Sequence, residues 1–388
     1  VTVTLTNARL IDADSERSGA TISFAGATIT AGANGDAIDL AGAIVVPGFV
    51  DVHTHGGGGF NLQTTNVEEI QAYARWTPST GVTSFLIAVV GVPHAVPEQQ
   101  LRAAVAAIKA GGSGAEAVGI HLEGPYMSHA RRGAHDPSWL RVPNEAETEH
   151  ILELAQGRLK LITLAPELPG MPEMIRRLTA AGVTVSIGHT DATYEQAREA
   201  IPLGITHATH CFNAMRPLLH REPGPLGAIV ECEQVRGELI ADGVHVHPAA
   251  ARILLRALGP QRAIVVTDAL ACAGLPDAEF EFNGQPARVI DGVARLADGT
   301  ITGSVLTMDQ ALRNIVQIVG VPLREAIGML TLNPATSAGV ADRKGRLAPG
   351  YDADLVILDD DLQLQATICR GKLAWAREEW RARLAVLA

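Results

Sequence analysis

The chain is short of positive charge: 31 Lys and Arg stand against 42 Asp and Glu, giving a formal net charge of −11 at pH 7. That balance argues against nonspecific binding to nucleic acid or to an anionic membrane, so an anionic ligand must be met by a local cluster of positive groups. Cysteine is scarce too. The 4 present, Cys211, Cys232, Cys272 and Cys369, show no C-x-x-C spacing and no framework. They fit a reduced, cytoplasmic protein. Apolar runs do not exceed strand length, which is too short to cross a bilayer. The opening "VTVTLTNARL" alternates like a strand and lacks a basic segment leading into an apolar one, so no signal peptide is expected. What is abundant is apolar material: 47% of 388 residues are hydrophobic, ample for a large core.

The ends and the middle differ in texture. Residues 1–46 read as short alternating strands broken by turn residues, and the same texture returns over 345–388. The two ends are expected to meet in one small β-domain. Residues 47–344 instead alternate apolar strands with amphipathic helices. Strands are predicted over 48–55, 81–90, 117–124, 159–166, 182–189, 205–212, 236–243 and 262–269, with helices between most of them, such as 171–181 and 248–258. In 191–200, Asp191 resembles a helix N-cap, with Glu195 in the first turn. Buried strands alternating with helices make a parallel sheet, and eight such units over roughly 250 residues match a barrel. A doubly wound open sheet is the competitor, but no strand leads into a G-x-G-x-x-G or Walker loop. The fold class expected is α/β, a (β/α)8 TIM-like barrel carrying a small β-sandwich built from both termini.

Chemistry concentrates where such a barrel places its active site, at the C-terminal ends of the strands. "DVHTHGGGG" ends the first strand with His53 and His55, whose i, i+2 spacing points both to one face. Glu123 ends the third strand, His189 the fifth, His210 the sixth and Asp268 the eighth. Imidazole and carboxylate ligands suit zinc or iron, and Glu123 could bridge two ions. The glycines at 56–59 fit a loop whose backbone passes close to metal or substrate. Asp268 is read as a general base beside a metal, against the plainer reading of a helix N-cap. His121, two residues before Glu123, is expected as a hydrogen-bonded core histidine. His207 and His210 differ by three, so strand alternation would put His210 inside and His207 against a helix. His94, His129, His150 and His220 are expected on the surface.

Longer motifs then identify a resemblance covering nearly the whole chain. "PGFVDVHTHG" (47–56), "GIHLEGPY" (119–126), "RRGAHDP" (131–137), "GHTDATY" (188–194), "THCFNAMRPLLHREPG" (209–224), "ADGVHVHP" (241–248) and "VTDAL" (266–270) resemble the amidohydrolase superfamily. Within it they resemble the N-acetylglucosamine-6-phosphate deacetylase family, for which "LEGP", "GAH", "FNAM" and "REPG" together are specific. The resemblance implies Glu123, His189 and His210 as the main metal ligands, with His53 and His55 holding a second ion. One divalent ion is implied at least, and two are expected. Asp268 matches the catalytic aspartate, and His135 the histidine that contacts the acetyl carbonyl. The backbone amides of Asn213 and Ala214 match the phosphate loop, and Arg221 and His245 match further substrate contacts. The arginine of this pattern reaches the neighbouring subunit's site, which implies a homodimer; the substrate implied is a phosphorylated amino sugar. "TLAPE" lacks the modified lysine with which many amidohydrolases bridge their metals, so Glu123 would serve instead. Activity on another N-acyl compound, or a barrel that has become a metal-free scaffold, are the alternatives.

Overall fold

The computed structural model describes residues 2–32, 35–282 and 285–387. Eight parallel strands form its central sheet: β1 (Phe49–Asp51), β2 (Val82–Val90), β3 (Glu116–Glu123), β4 (Leu159–Leu164), β5 (Thr184–Ile187), β6 (Ile205–Ala208), β7 (Arg236–Ile240) and β8 (Ala263–Val266). Each pairs with its sequence neighbour. These strands are buried on both faces, as in β2, where every residue from Val82 to Val90 is inaccessible, and so they read as apolar runs.

The sheet closes past the ends of its first and last strands. Asp268 N donates to His53 O and His55 N to Ala269 O, each at 2.8 Å, while Thr267 Oγ1 donates to Asp51 Oδ2 at 2.6 Å. This seam lies in the segments that carry three of the expected site residues. All eight strands expected from the sequence are present, and the fold is a (β/α)8 barrel with an added β-domain.

Helices α1 (Val67–Trp76), α2 (Glu98–Ala110), α3 (Glu145–Ala155), α4 (Met171–Ala180), α5 (Tyr194–Ala200), α6 (Gly224–Glu231), α7 (Pro248–Leu258) and α8 (Met308–Arg313) alternate with the strands. Local chemistry starts several of them. Asn66 caps α1, Asn144 caps α3, and Thr193 with Gln196 forms a capping box at α5. The α5 helix therefore begins two residues later than an Asp191 cap would place it; Asp191 instead accepts from Arg131 and Arg216, at 2.8 Å each.

A short helix, Leu332–Ser337, shuts the N-terminal end of the barrel. Asn333 Nδ2 donates to Ala263 O at 2.7 Å, and Ser337 O accepts from Thr184 Oγ1 at 2.9 Å. Between β8 and α8 the chain inserts a three-stranded antiparallel sheet, Glu279–Phe282, Gln285–Ile290 and Val293–Leu296, which the sequence pattern did not announce.

The chain ends meet as expected. Ile44–Pro47 pairs antiparallel with Leu355–Leu358 inside one eight-stranded sheet drawn from both termini. Alternation sorts its faces: Ile44, Val46 and Val356 join the barrel core, while Val45, Leu355 and Ile357 join a separate core under the sheet. Among the described residues no helix is long and apolar enough to cross a membrane.

Candidate active site

His189, His210 and Asp268 share one local structure. Each stands two residues beyond the end of its strand, and each has left-handed backbone, with φ of 46°, 27° and 48°. Non-glycine residues adopt that region rarely and at a cost, so three at equivalent rim positions mark where the fold imposes geometry on side chains. The turn swings each functional group over the barrel mouth rather than along the pleat.

Around Glu123 five imidazoles converge. Oε1 lies 3.2 Å from both His189 Nε2 and His210 Nε2 and 3.4 Å from His53 Nε2; Oε2 lies 3.2 Å from His55 Nε2 and 3.5 Å from His135 Nε2. Asp268 Oδ1 faces the same pair from across the seam, 3.2 Å from His55 and 3.5 Å from His53. Every one of these side chains is buried.

The donor set fits a divalent cation. Two clusters, His53–His55–Glu123 and Glu123–His189–His210, each hold their ligand atoms within 4.8 Å of one another and share Glu123. His189 donates Nδ1–H to Arg131 O at 3.0 Å, which leaves Nε2 to present a lone pair. That nitrogen nevertheless sits 3.0 Å from His210 Nε2, and the buried His53 Nε2 has no hydrogen-bond partner. Lone pairs crowded in a dry site call for a cation, and nitrogen and oxygen donors suit zinc or iron.

The electrostatics agree. Burial alone would lower the imidazole pKa values, but Asp268 and Glu123 overcome it and raise His55 to about 9. At Asp268 burial acts to raise the pKa, yet His53 and His55 bring it down to about 2. Glu123 likewise stays ionised against burial because His53 and its imidazole neighbours favour the anion. The site thus holds anionic oxygens that attract either protons on its histidines or a metal ion.

The remaining expected residues divide. A cavity of about 200 Å³ opens on Glu123, His135, His189, His210 and Asp268. Asn213, Ala214 and His245 line it as well. His245 is fixed by Asp242 Oδ2 at 2.6 Å and Thr302 O at 3.1 Å. The Asn213 N–H is already donated to His210 O at 2.9 Å, so of the two amides expected for phosphate, only that of Ala214 lacks an intrachain partner among the described residues. Arg221 lies outside the cavity: it is exposed, with its guanidinium 2.6 Å from His220 Nε2.

Two expectations are revised. Gly57 and Gly58 answer to a neighbouring ring: a Cβ on either would come within 2.4 Å of the Trp76 indole. His207 meets a helix as expected, through Ser337 Oγ at 3.0 Å, but it is not segregated from the site. β6 ends at Ala208, so alternation no longer governs His210, and His207 Nε2 reaches Glu238 Oε1 at 2.9 Å. His150 lies on the surface, as expected, where it pairs with Glu98 Oε1 at 2.7 Å. His121 is the core histidine expected, held between Val52 O and Thr163 Oγ1 at 3.2 and 2.8 Å, with burial lowering its pKa to about 3. No lysine is among the residues that meet Glu123, so the departure read in "TLAPE" holds.

Sequence reading missed Glu238. Its signal was available: a carboxylate in the middle of β7, followed by Leu239 and Ile240, where an unpaired charge is disfavoured.

The rim of imidazoles and carboxylates on a closed parallel barrel defines the class, and the chain belongs to the amidohydrolase family, whose profile matches residues 44–374. It is 37% identical over 342 residues to N-acetylglucosamine-6-phosphate deacetylase of Bacillus subtilis, covering 87% of this chain and 86% of the relative. An N-acetylgalactosamine-6-phosphate deacetylase of Escherichia coli O157:H7 is 37% identical over 331 residues, covering 85% and 88%. Among solved structures, a mutant N-acetyl-D-glucosamine-6-phosphate deacetylase of Mycobacterium smegmatis in complex with N-acetyl-D-glucosamine-6-phosphate superposes with a TM-score of 0.90 at 36% identity, over 96% of this chain and 99% of that one. Within the amidohydrolases the chain therefore belongs with the N-acetylglucosamine-6-phosphate deacetylases.

Proposed function

We propose that this chain removes the acetyl group from N-acetylglucosamine 6-phosphate, giving glucosamine 6-phosphate and acetate in amino-sugar catabolism. The observation that carries the reading is the meeting of five imidazoles and Asp268 around Glu123, in a chain whose relatives bear that name. Glu123, His189 and His210 would hold one divalent ion, zinc or iron, and His53 and His55 with Glu123 a second; such an ion polarises a carbonyl and brings the pKa of water toward neutrality.

The chain's own groups do the rest. Asp268 Oδ1 rests against His53 and His55, which leaves Oδ2 to take a proton from the attacking water. The same carboxyl then hands that proton to the departing nitrogen. His135 donates from Nε2 to the acetyl oxygen as negative charge grows there, a contribution worth roughly 10²–10³ in rate at comparable sites. His245, locked by Asp242, orients the sugar.

Recognition of the phosphate draws on a second copy. No Lys or Arg lines the cavity among the described residues, whereas Arg221 projects from an exposed loop. A homodimer in which Arg221 of one subunit reaches the cavity of the other supplies the missing positive charge, with the Ala214 amide on the near side. The four cysteines are unpaired thiols, which supports a reducing, cytoplasmic setting.

Acetate release from N-acetylglucosamine 6-phosphate, compared with the unphosphorylated sugar and with N-acetylgalactosamine 6-phosphate, tests the reading when metal content is measured on the same sample. Strong preference for the first supports it. Equal rates with and without phosphate would point to another N-acyl substrate, and a metal-free, inactive protein to a scaffold.

A further inference from the structure

Glu238 lies at the centre of β7 and is completely buried, with no Lys or Arg bonded to its carboxylate. Its partners are all N–H groups: His53 Nδ1 and the His210 backbone N reach Oε2, and His207 Nε2 reaches Oε1, each at 2.9 Å. A carboxylate that accepts three such bonds stays ionised in a dry interior. Its main-chain oxygen also accepts from Cys211 N at 2.9 Å, so one residue grips two consecutive amides of the left-handed turn at His210.

The bonds fix orientation. Because Oε2 only accepts, His53 must carry its proton on Nδ1, and that directs Nε2 toward Glu123 and Asp268. By the same logic His207 is protonated on Nε2, and its Nδ1 accepts from Ser337 Oγ at 3.0 Å. The result is a continuous buried chain from the helix that closes the barrel floor, through His207 and Glu238, to His53 at the mouth.

We propose that Glu238 is a positioning residue that serves both ligand clusters at once, setting the tautomer of His53 in one and the backbone of His210 in the other. It touches neither substrate nor ion. The inference rests on the metal-dependent reading above, because it concerns ligands for that ion. A carboxylate behind a ligating histidine orients the ring and raises its basicity, and loss of such a partner typically weakens metal binding about 10–100-fold.

The test is zinc binding to the apo protein, titrated against a competing chelator, for the unaltered chain and for Glu238→Gln, which keeps the shape of the side chain. Expected is a zinc affinity about 10–100-fold lower in E238Q, with the apo melting temperature within a few degrees of the parent's. Affinity within twofold of the parent's would overturn the proposal, and so would failure of the unaltered chain to bind either zinc or ferrous iron, which would remove the metal reading with it. Failure of deacetylation alone, with zinc binding intact and weakened by E238Q, would strike only the substrate assignment. Should E238Q not fold, the zinc-loaded parent labelled with 15N-histidine decides: a protonated, exchange-protected Nδ1 at His53 is expected, and a protonated Nε2 with a bare Nδ1 overturns the inference.

Discussion

His189 and His210 point their Nε2 atoms at each other across 3.0 Å, and both stand 3.2 Å from the same oxygen, Glu123 Oε1. The two residues are 21 positions apart in the chain and arrive from adjacent strands. Nothing in their immediate hydrogen bonding needs such an approach, since His189 is already anchored through Nδ1 to Arg131 O. The cation site proposed above requires such an approach.

Removing the shared oxygen donor is therefore expected to empty both clusters. Glu123→Gln should bind zinc more weakly than the 100-fold or so that follows from losing an outer partner, and turnover should vanish with the metal. Elemental analysis of the purified variant beside a rate assay checks this. Full metal content in the variant would show that Glu123 is not a ligand.

Asp268 offers a contrasting case, because its Oδ1 meets the histidines while the group is proposed as the proton carrier. Asp268→Asn should retain metal but lose about 10²–10⁴-fold in kcat, the usual range for a positioned acid–base group. Near-normal turnover would remove it from the mechanism.

His135 stands 3.5 Å from Glu123 Oε2 with its ring against that of His189, centroids 4.8 Å apart. Replacing it with Phe preserves bulk and removes the donor. A fall in kcat of about 10²–10³-fold with metal content unchanged is expected; loss of metal instead would reassign His135 as a ligand.

For Arg221→Ala the effect should appear mainly in KM. Losing one charge-assisted hydrogen bond, about 1.5–3 kcal/mol, raises KM for the phosphorylated sugar roughly 10–100-fold. KM for the unphosphorylated sugar should not move. An unchanged KM for both would refute a phosphate contact.

Acid stability should depend on Glu116, where β3 meets the chain leading into the terminal sheet. Its carboxylate receives a two-pronged bond from Arg343, at 2.7 and 2.9 Å, and lies 2.9 Å from Lys344 Nζ. Burial acts to raise its pKa, but Arg343 and Lys344 win and hold it at about 2, below the ordinary 4.5. A depressed carboxyl stabilises the fold above the unfolded value, and that contribution is lost as pH falls from 4.5 through about 2. Glu116→Gln should be less stable than the parent at pH 7 by about 1–3 kcal/mol, with the gap closing over that acid range. Urea unfolding at pH 7, 4 and 2.5 would show it; a gap independent of pH would mean the pair adds nothing.

Strand positions and most residues of the candidate site were legible because they depend on short-range pattern. An apolar run such as Val82–Val90 announces a strand buried on both faces, and a barrel puts whatever ends its strands at one rim. His53, His55, Glu123, His189, His210 and Asp268 were all accessible by that route, and the family motifs added His135 and His245. Alternation failed for His207 and His210, since it holds only while the strand lasts, and β6 stops at Ala208. The left-handed turns at His210 and Asp268 are fixed by bonds to distant segments: the His210 amide donates to Glu238 Oε2 and the Asp268 amide to His53 O. Likewise Gly57 and Gly58 answer to Trp76, contributed by the end of α1, and Asn213 spends its amide on a neighbour three residues back. Which residues could serve the chemistry was written locally in the chain; how each one is aimed depends on partners that only closure of the barrel brings within bonding distance.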